Sequence, residues 1–226
     1  MTASELRRRA YMSTRRLLRR LHVQRWLDVY ACQIVAAPTA SRGAPSEWAR
    51  EELWMDEVGP GSADWLTGAH PARAAIMDQR WAAGYRCFAA TTQPSTGCSA
   101  YLWAAAGPIR FYSRSLGRNW EVPAGVAWLF DAWAHPLSLG TYPDLNRFAV
   151  ARLRAEGVGW TWGQVEAGNR GSRRLTRRWG AEAVGPAVSL RLGKLTLCAA
   201  SPRLSLMAGG AGSSPRLAVS RMTHIT

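Results

Sequence analysis

The chain has 226 residues, of which 47% are hydrophobic, so it is long enough to bury the core of one domain between two tails. It contains no apolar run of the length that a signal peptide core or a membrane span needs, which predicts a soluble cytoplasmic protein. Its four scattered cysteines form no C-x-x-C pair, which argues against a zinc site and predicts reduced thiols.

The net charge of +14 is concentrated at the N-terminus, because residues 1–25 contain eight arginines and a single acidic residue, Glu5. Leu6, Leu17 and Leu21 recur roughly on one face of a helix. We therefore predict a basic helical arm over residues 1–25. Such an arm either contacts an anionic membrane surface or nucleic acid, or is a solvated segment that packs loosely on the domain.

Residues 26–197 are predicted to form the folded domain. Its first strand covers Trp26 to Ala36, where valine, isoleucine, tyrosine and tryptophan are frequent. Ser46 is a candidate helix cap, and the acidic stretch that follows it to Val58 predicts a helix. The acidic side chains either attract a cationic substrate or form a solvated face. A second helix is predicted from Ala69 to Ala83.

Two strands are predicted next, from Tyr85 to Thr92 and from Cys98 to Ala105, and the QPSTG segment between them is typical of a hairpin turn. Gly107 to Pro123 predict a long connection. Long loops in compact domains are often functional, so this one either closes over a substrate or is an ordinary surface loop.

A strand-helix-strand unit organises the rest of the chain. Ala127 to Ala134 are almost continuously apolar, as in a central strand covered on both faces, with Asp131 as the exception. From Tyr142 apolar residues recur at helical spacing until Gly157, and a second strand starts at Val158. The two strands are predicted to be parallel, and ligands bind at the carboxyl ends of such strands.

The loop between the first strand and the helix brings backbone N–H groups to a helix N-terminus, where the helix dipole favours anions such as phosphate. Gly140 fits either a phosphate cradle or an ordinary turn, and Pro143 removes one N–H donor. After the second strand, Asn169 precedes an arginine-rich helix. Val184 to Leu192 predict the last strand, and residues 198–226 a disordered tail.

Four segments, in order, resemble the GNAT superfamily of acyl-CoA-dependent N-acyltransferases over roughly residues 85–192. CFAATTQPSTGCSAYLW resembles the paired strands of that family, WLFDAWAHP its central strand, and GTYPDLNRFAVARLRAEG the helix after its pyrophosphate loop. NRGSRRLTRRWGAEAVG is similar to its N-x-x-S-x-x-L stretch, which is carried here by Asn169, Ser172, Leu175 and Gly180. The resemblance implies an α/β (α+β) fold, in which helices flank a mostly antiparallel sheet with one parallel strand-helix-strand unit.

The same resemblance implies acetyl-CoA or another acyl-CoA as cofactor, and an amine of a small molecule or polypeptide as acceptor. It implies that backbone groups of Trp133 and Ala134 pair with the pantetheine arm. It also implies that the loop contacts the pyrophosphate through Leu139, Gly140, Thr141 and Tyr142. At the start of the next helix, the residues implied to flank the cofactor are Asn169 and Ser172.

Two features depart from the family pattern. The family loop reads Gln or Arg, two residues, Gly, one residue, then Gly or Ala. Here one alignment register puts Leu137, Gly140 and Tyr142 at the three motif positions. A second register makes Gly140 the last glycine of the motif and leaves the loop two residues short. Many members carry a tyrosine that protonates the departing thiolate, whereas this chain has Thr176, whose hydroxyl is a poorer acid. A member that keeps the fold without turnover is therefore the alternative.

Acyl transfer needs a group that accepts a proton from the amine, and Asp131 is the first candidate. A carboxylate buried in an apolar strand is expected to have a raised pKa, which suits a general base. Alternatively, Asp131 is structural and bonds to a neighbouring strand or helix. Glu166, at the end of the second strand, is the reserve candidate, and His135 either relays a proton or caps its strand.

Overall fold

The computed structural model describes residues 27–43, 53–62, 66, 74–92, 97–135, 140–192 and 195–200. The predicted basic arm, Leu139 and most of the predicted C-terminal tail lie outside these ranges.

The described elements alternate between strands and short helices. They are β1 (Leu27–Pro38), a 3₁₀ turn (Thr39–Arg42), β2 (Trp54–Val58), a second 3₁₀ turn (Pro60–Ser62), α1 (Ala74–Ala82), β3 (Arg86–Thr91), β4 (Ala100–Ala106), β5 (Ile109–Ser113), β6 (Arg118–Val122), β7 (Val126–Ala134), α2 (Thr141–Ala155), β8 (Trp160–Glu166), α3 (Arg170–Arg178), β9 (Glu182–Leu192) and β10 (Leu195–Ala200).

Eight strands form one sheet in the order β10-β9-β1-β8-β7-β4-β3-β2, and β5 pairs with β6 in a separate hairpin. Among the described strands, only β7 and β8 pair in parallel, and every other pair is antiparallel. The predicted fold class, a mostly antiparallel sheet with one parallel strand-helix-strand unit and flanking helices, is confirmed.

The unit of β7, α2 and β8 forms because α2 carries a continuous apolar stripe. Leu145, Ala149 and Leu153 follow one another at intervals of four residues and are fully buried against β4 and β7. Gly157 has a φ of 90°, so the chain leaves the helix in a conformation that favours glycine. The opposite face of β7 buries Trp128, which stacks on Phe111 and Trp120 of the hairpin at ring distances of 5.3 Å.

β1 lies in the interior of the sheet, antiparallel to β8 on one side and to β9 on the other. Its last residue, Pro38, pairs with Trp160 at the beginning of β8. The 3₁₀ turn that follows β1 therefore lies against α2. This placement brings Arg42, a residue distant in sequence from the strand-helix-strand unit, next to it.

Three predicted elements were wrong in type or extent. Trp54–Val58 form a strand that pairs with β3, whereas the sequence predicted a helix there; its side chains alternate between exposed and inward positions, which is a period of two. The long connection from Gly107 contains the hairpin of β5 and β6, and β5 shows the same alternation. Cys198–Ala200 belong to β10, so the predicted tail begins too early.

Candidate functional site

The two parallel strands separate at their carboxyl ends. Their ladder ends with the pair Leu129 and Gly163, although β7 continues to Ala134 and β8 to Glu166. The opposite edge of β7 remains paired with β4 as far as Ala134. The gap opens into a cleft of about 400 Å³ between the two strands, α2, α3 and the 3₁₀ turn after β1.

A β-bulge marks the point where β7 leaves β8. Phe130 pairs with Trp103 of β4 and Trp133 with Tyr101, so Asp131 and Ala132 together face one residue of β4. Asp131 has a φ of 43°, a conformation that aspartate adopts more readily than most residues. The polar residue within the apolar strand is therefore explained by the bulge.

Asp131 forms an ion pair with Arg80 of α1, whose Nη1 lies 2.6 Å from its Oδ2. The two side chains are 29% and 13% exposed, respectively. The Arg80 guanidinium lies over the rings of Trp103 and Phe130 at 5.0 and 5.2 Å. The expectation of a lone, buried carboxylate is therefore wrong, because Asp131 is partly exposed and bonded to a neighbouring helix.

The cleft brings together several residues that the sequence singled out. Asn169 caps α3, where its side-chain oxygen accepts a hydrogen bond from the Ser172 backbone N–H at 3.0 Å. The predicted site residues that line the cleft are Asp131, Tyr142, Glu166, Asn169 and Ser172. Five residues from four elements, β7, α2, β8 and α3 with its cap, thus meet at the carboxyl ends of β7 and β8.

The other predicted site residues lie beside the cleft. Trp133 and Ala134 belong to the part of β7 beyond its ladder with β8. The Trp133 ring stacks on Tyr101 of β4 at 5.7 Å. Gly140 and Thr141 form the N-terminus of α2.

The N-terminus of α2 offers a weaker anion site than a helix of its length would otherwise provide. Pro143 in its first turn has no N–H, which removes one donor to an anion. Asp144, buried in the same turn, accepts a hydrogen bond from Arg147 Nη1 at 2.8 Å. Its carboxylate already interacts favourably with the helix dipole, so it opposes a phosphate there.

Sequence reasoning missed a cluster of polar residues at the wall of the cleft. Arg42 donates hydrogen bonds to Asn146 Oδ1 and, at 2.7 Å, to Thr161 Oγ1. Its guanidinium also lies 5.0 Å from the centroid of the Trp179 ring. Asn146, a buried polar residue beside the apolar stripe of α2, was the one available signal, because Arg42 itself lies in a segment that reads as an ordinary turn.

A second cavity, of about 480 Å³, lies between α1, the hairpin, β7 and β8. Phe130, Asp131 and Gln164 line both this cavity and the cleft. Gln164 accepts a hydrogen bond from Ser113 Oγ of the hairpin at 2.9 Å, which fixes it at the junction. Two ligands that enter the two spaces would therefore meet beside Asp131.

Thr176 also lines the cleft, at the position where the family resemblance places a tyrosine acid. Its hydroxyl donates a hydrogen bond to the carbonyl oxygen of Ser172, 3.0 Å away, within the same helix. The hydroxyl is thus engaged by the backbone of α3.

All four cysteines are buried, and no disulfide links them. Burial raises the pKa of the Cys32 and Cys98 thiols to about 12 and that of Cys87 well above its ordinary value. Since the thiolate is the reactive form, we expect native protein at pH 8 to react with a coloured disulfide reagent far more slowly than free cysteine. All four thiols are expected to react in guanidinium. One rapidly labelled thiol per native chain would contradict this expectation.

No protein-family model and no curated protein matches the sequence. Solved structures do match the fold. A conserved protein of unknown function from Staphylococcus epidermidis superposes with a TM-score of 0.53 at 6% identity, covering 78% of this chain and 65% of that one. A proposed acetyltransferase of the GNAT family from Novosphingobium aromaticivorans gives 0.51 at 14% identity, covering 74% and 65%.

The glucosamine N-acetyltransferase region of a fungal multi-domain β-N-acetylglucosaminidase gives a TM-score of 0.50 at 11% identity, covering 76% of this chain and 22% of that one. The chain thus spans less than two thirds of each of these proteins. The likeness establishes a GNAT-like fold. In the part of the chain that the structure describes, no helix combines the length and apolar character of a membrane span.

Proposed function

We propose that this protein is an acyl-CoA-dependent N-acyltransferase. The observation that carries the proposal is the junction at Asp131 and Gln164, where the cleft between the separated strands meets the second cavity. A thioester in the cleft and an amine in the second cavity would approach one another there. The GNAT-like fold, which several acetyltransferase structures share, supports the same proposal.

A pantetheine arm in the cleft is supported by the edge of β7 beyond Leu129, where the ladder to β8 has ended. We infer that backbone groups near Trp133 and Ala134 bond this extended ligand as an added strand would. The N-terminus of α2 fits the diphosphate less well, since Asp144 occupies its first turn. Acetyl-CoA is the simplest donor of this class.

In the proposed reaction the amine nitrogen forms a bond to the thioester carbonyl carbon, and the carbon–sulfur bond then breaks. Asp131 accepts the proton that the amine loses, and Glu166 is the reserve base. Thr176 donates its hydroxyl hydrogen to the helix backbone, so we expect the thiolate to leave as the anion or to take a proton from water. The acceptor is an amine of a small molecule or polypeptide.

Calorimetry with acetyl-CoA tests the binding step. We expect wild-type protein to bind it, and we expect Leu175→Trp to weaken that binding by at least about tenfold, because the larger ring fills the cleft that Leu175 lines. Leu197→Trp is the matched control, since Leu197 is 41% exposed on β10. No heat and no thermal stabilisation of the wild type at millimolar acetyl-CoA would refute the proposal.

A binding protein without turnover is the second candidate. It is favoured by the engaged hydroxyl of Thr176 and by the ion pair between Asp131 and Arg80. Thiol release from acetyl-CoA, measured against a panel of amines, separates the two candidates. Steady release that requires an amine supports the transferase, whereas binding without release supports the second candidate.

A further inference from the structure

Arg42 is a buried cation in the wall of the cleft. Its residue surface is only 8% exposed, although its guanidinium can donate five hydrogen bonds. Asn146 and Thr161 accept one each. Among the described residues nothing accepts from the remaining N–H groups, and the buried Nε in particular has no partner. The site is therefore built around a donor group that is not saturated.

Arg42 also has no counter-charge among the residues that the structure describes. No carboxylate in the described ranges lies within ion-pair distance of it; Asp131, an acid of the same cleft, is bonded to Arg80. Burial lowers the pKa of Arg42 to about 10, so the guanidinium is still charged at neutral pH. Burial of an unpaired charge is costly, which calls for an anion in the functional state of the protein.

The position of Arg42 suggests where that anion comes from. Among the described residues that line the cleft, Arg42 carries the only full positive charge. The neighbouring N-terminus of α2 is already complemented by Asp144. A negatively charged ligand in the cleft would therefore find its side-chain counter-charge at Arg42.

We propose that Arg42 binds an oxyanion of the ligand in the cleft, either a phosphate or a carboxylate oxygen. Its planar guanidinium suits both, because two parallel N–H groups can bond two oxygens. The nature of the ligand rests on the proposed function, whereas the anion site does not. Under the proposed function, the oxyanion is a phosphate of acyl-CoA or the free carboxylate of a dicarboxylic acyl group.

The test compares full-length wild type with Arg42→Gln and Arg42→Lys by calorimetry. For Arg42→Gln, we expect acetyl-CoA affinity to fall at least about tenfold if a phosphate is bound, while S-acetylpantetheine, which has no phosphate, is unaffected. If a carboxylate is bound, the loss is expected for succinyl-CoA and not for acetyl-CoA. Arg42→Lys keeps the charge, so its ligand affinity is expected to lie between those of wild type and Arg42→Gln.

Arg154→Gln is the matched control, because Arg154 is exposed on α2 and loses the same charge. Thermal unfolding separates a binding role from a structural one. A binding role predicts that Arg42→Gln unfolds near the wild-type temperature without ligand and gains less stabilisation from ligand. A variant that is destabilised without ligand but keeps wild-type affinities for every ligand would overturn the proposal.

A wild type that binds no CoA derivative would refute the proposed function and leave the anion site to be tested with inorganic phosphate and succinate. We then expect either anion to raise the unfolding temperature of wild type and of Arg154→Gln more than that of Arg42→Gln. Equal shifts in all three proteins would refute the anion site.

Discussion

Trp128→Ala is expected to lower the free energy of unfolding by about 3–5 kcal/mol, the range for truncation of a fully buried tryptophan. Trp128 is 1% exposed, and its ring projects from β7 against the hairpin, where it contacts Phe111 and Trp120. Its removal leaves a cavity that the surrounding strands, held in the sheet, cannot close. Denaturation in urea, with the slope of the transition compared between variants, measures the loss.

Trp54→Ala is the matched control. Trp54 is 43% exposed on β2, at the edge of the sheet, and the same substitution there is expected to change the unfolding free energy by no more than about 0.5 kcal/mol. A loss below about 1 kcal/mol for Trp128→Ala would show that the hairpin does not pack on β7 as described. The site would be affected too, since Phe130, two residues further along the strand, lines both cavities.

The strand-helix-strand unit was predictable because its signals are local. A continuous apolar run produced β7, the helical spacing of Leu145, Ala149 and Leu153 produced α2, and Gly157 ended the helix. Asn169 was predicted to precede a helix, and it caps α3 through a contact with Ser172 that spans only three residues. Local patterns of this kind need no knowledge of the rest of the fold.

Long-range arrangement is where the sequence was insufficient. The position of β1 between β8 and β9 depends on pairing between residues more than a hundred positions apart, and no local pattern specifies it. This pairing brings Arg42 to the cleft, and a single arginine in a turn does not predict that position from the sequence. The acidic residues Asp56 and Glu57 favoured a helix at Trp54–Val58, yet Glu57 turns inward to pair with Arg86 of β3.

Asp131 shows how both kinds of information combine. The sequence identified it as a carboxylate in an apolar strand, and the structure gives the reason: a bulge that turns its side chain toward Arg80 and the junction of the two cavities. Bulges are frequent beside active sites because they redirect a side chain without breaking the sheet. The ion pair holds the carboxylate at that junction.

Asp131→Asn is expected to lower kcat/KM for acyl transfer by about 100- to 10,000-fold, the usual contribution of a general base. Asparagine has nearly the same shape and also tolerates a positive φ, so the bulge should persist. The affinity for acetyl-CoA is expected to stay within about threefold of wild type, because the substituted group acts on the amine. Steady-state kinetics over a range of pH, with calorimetry for cofactor binding, measures both quantities.

Asp78→Asn is the matched control, because Asp78 is exposed on α1, near Arg80 in sequence, and loses the same charge. Arg80→Gln separates the two roles of Asp131. If Asp131 is a base, the enzyme retains part of its activity when Arg80 is replaced. If Asp131 is only structural, replacing Asp131 costs no more activity than replacing Arg80. If Asp131 is the base, Asp131→Asn lowers kcat/KM far more than Arg80→Gln does. Equal losses for Asp131→Asn and Arg80→Gln would assign the pair a structural role and move the search for the base to Glu166.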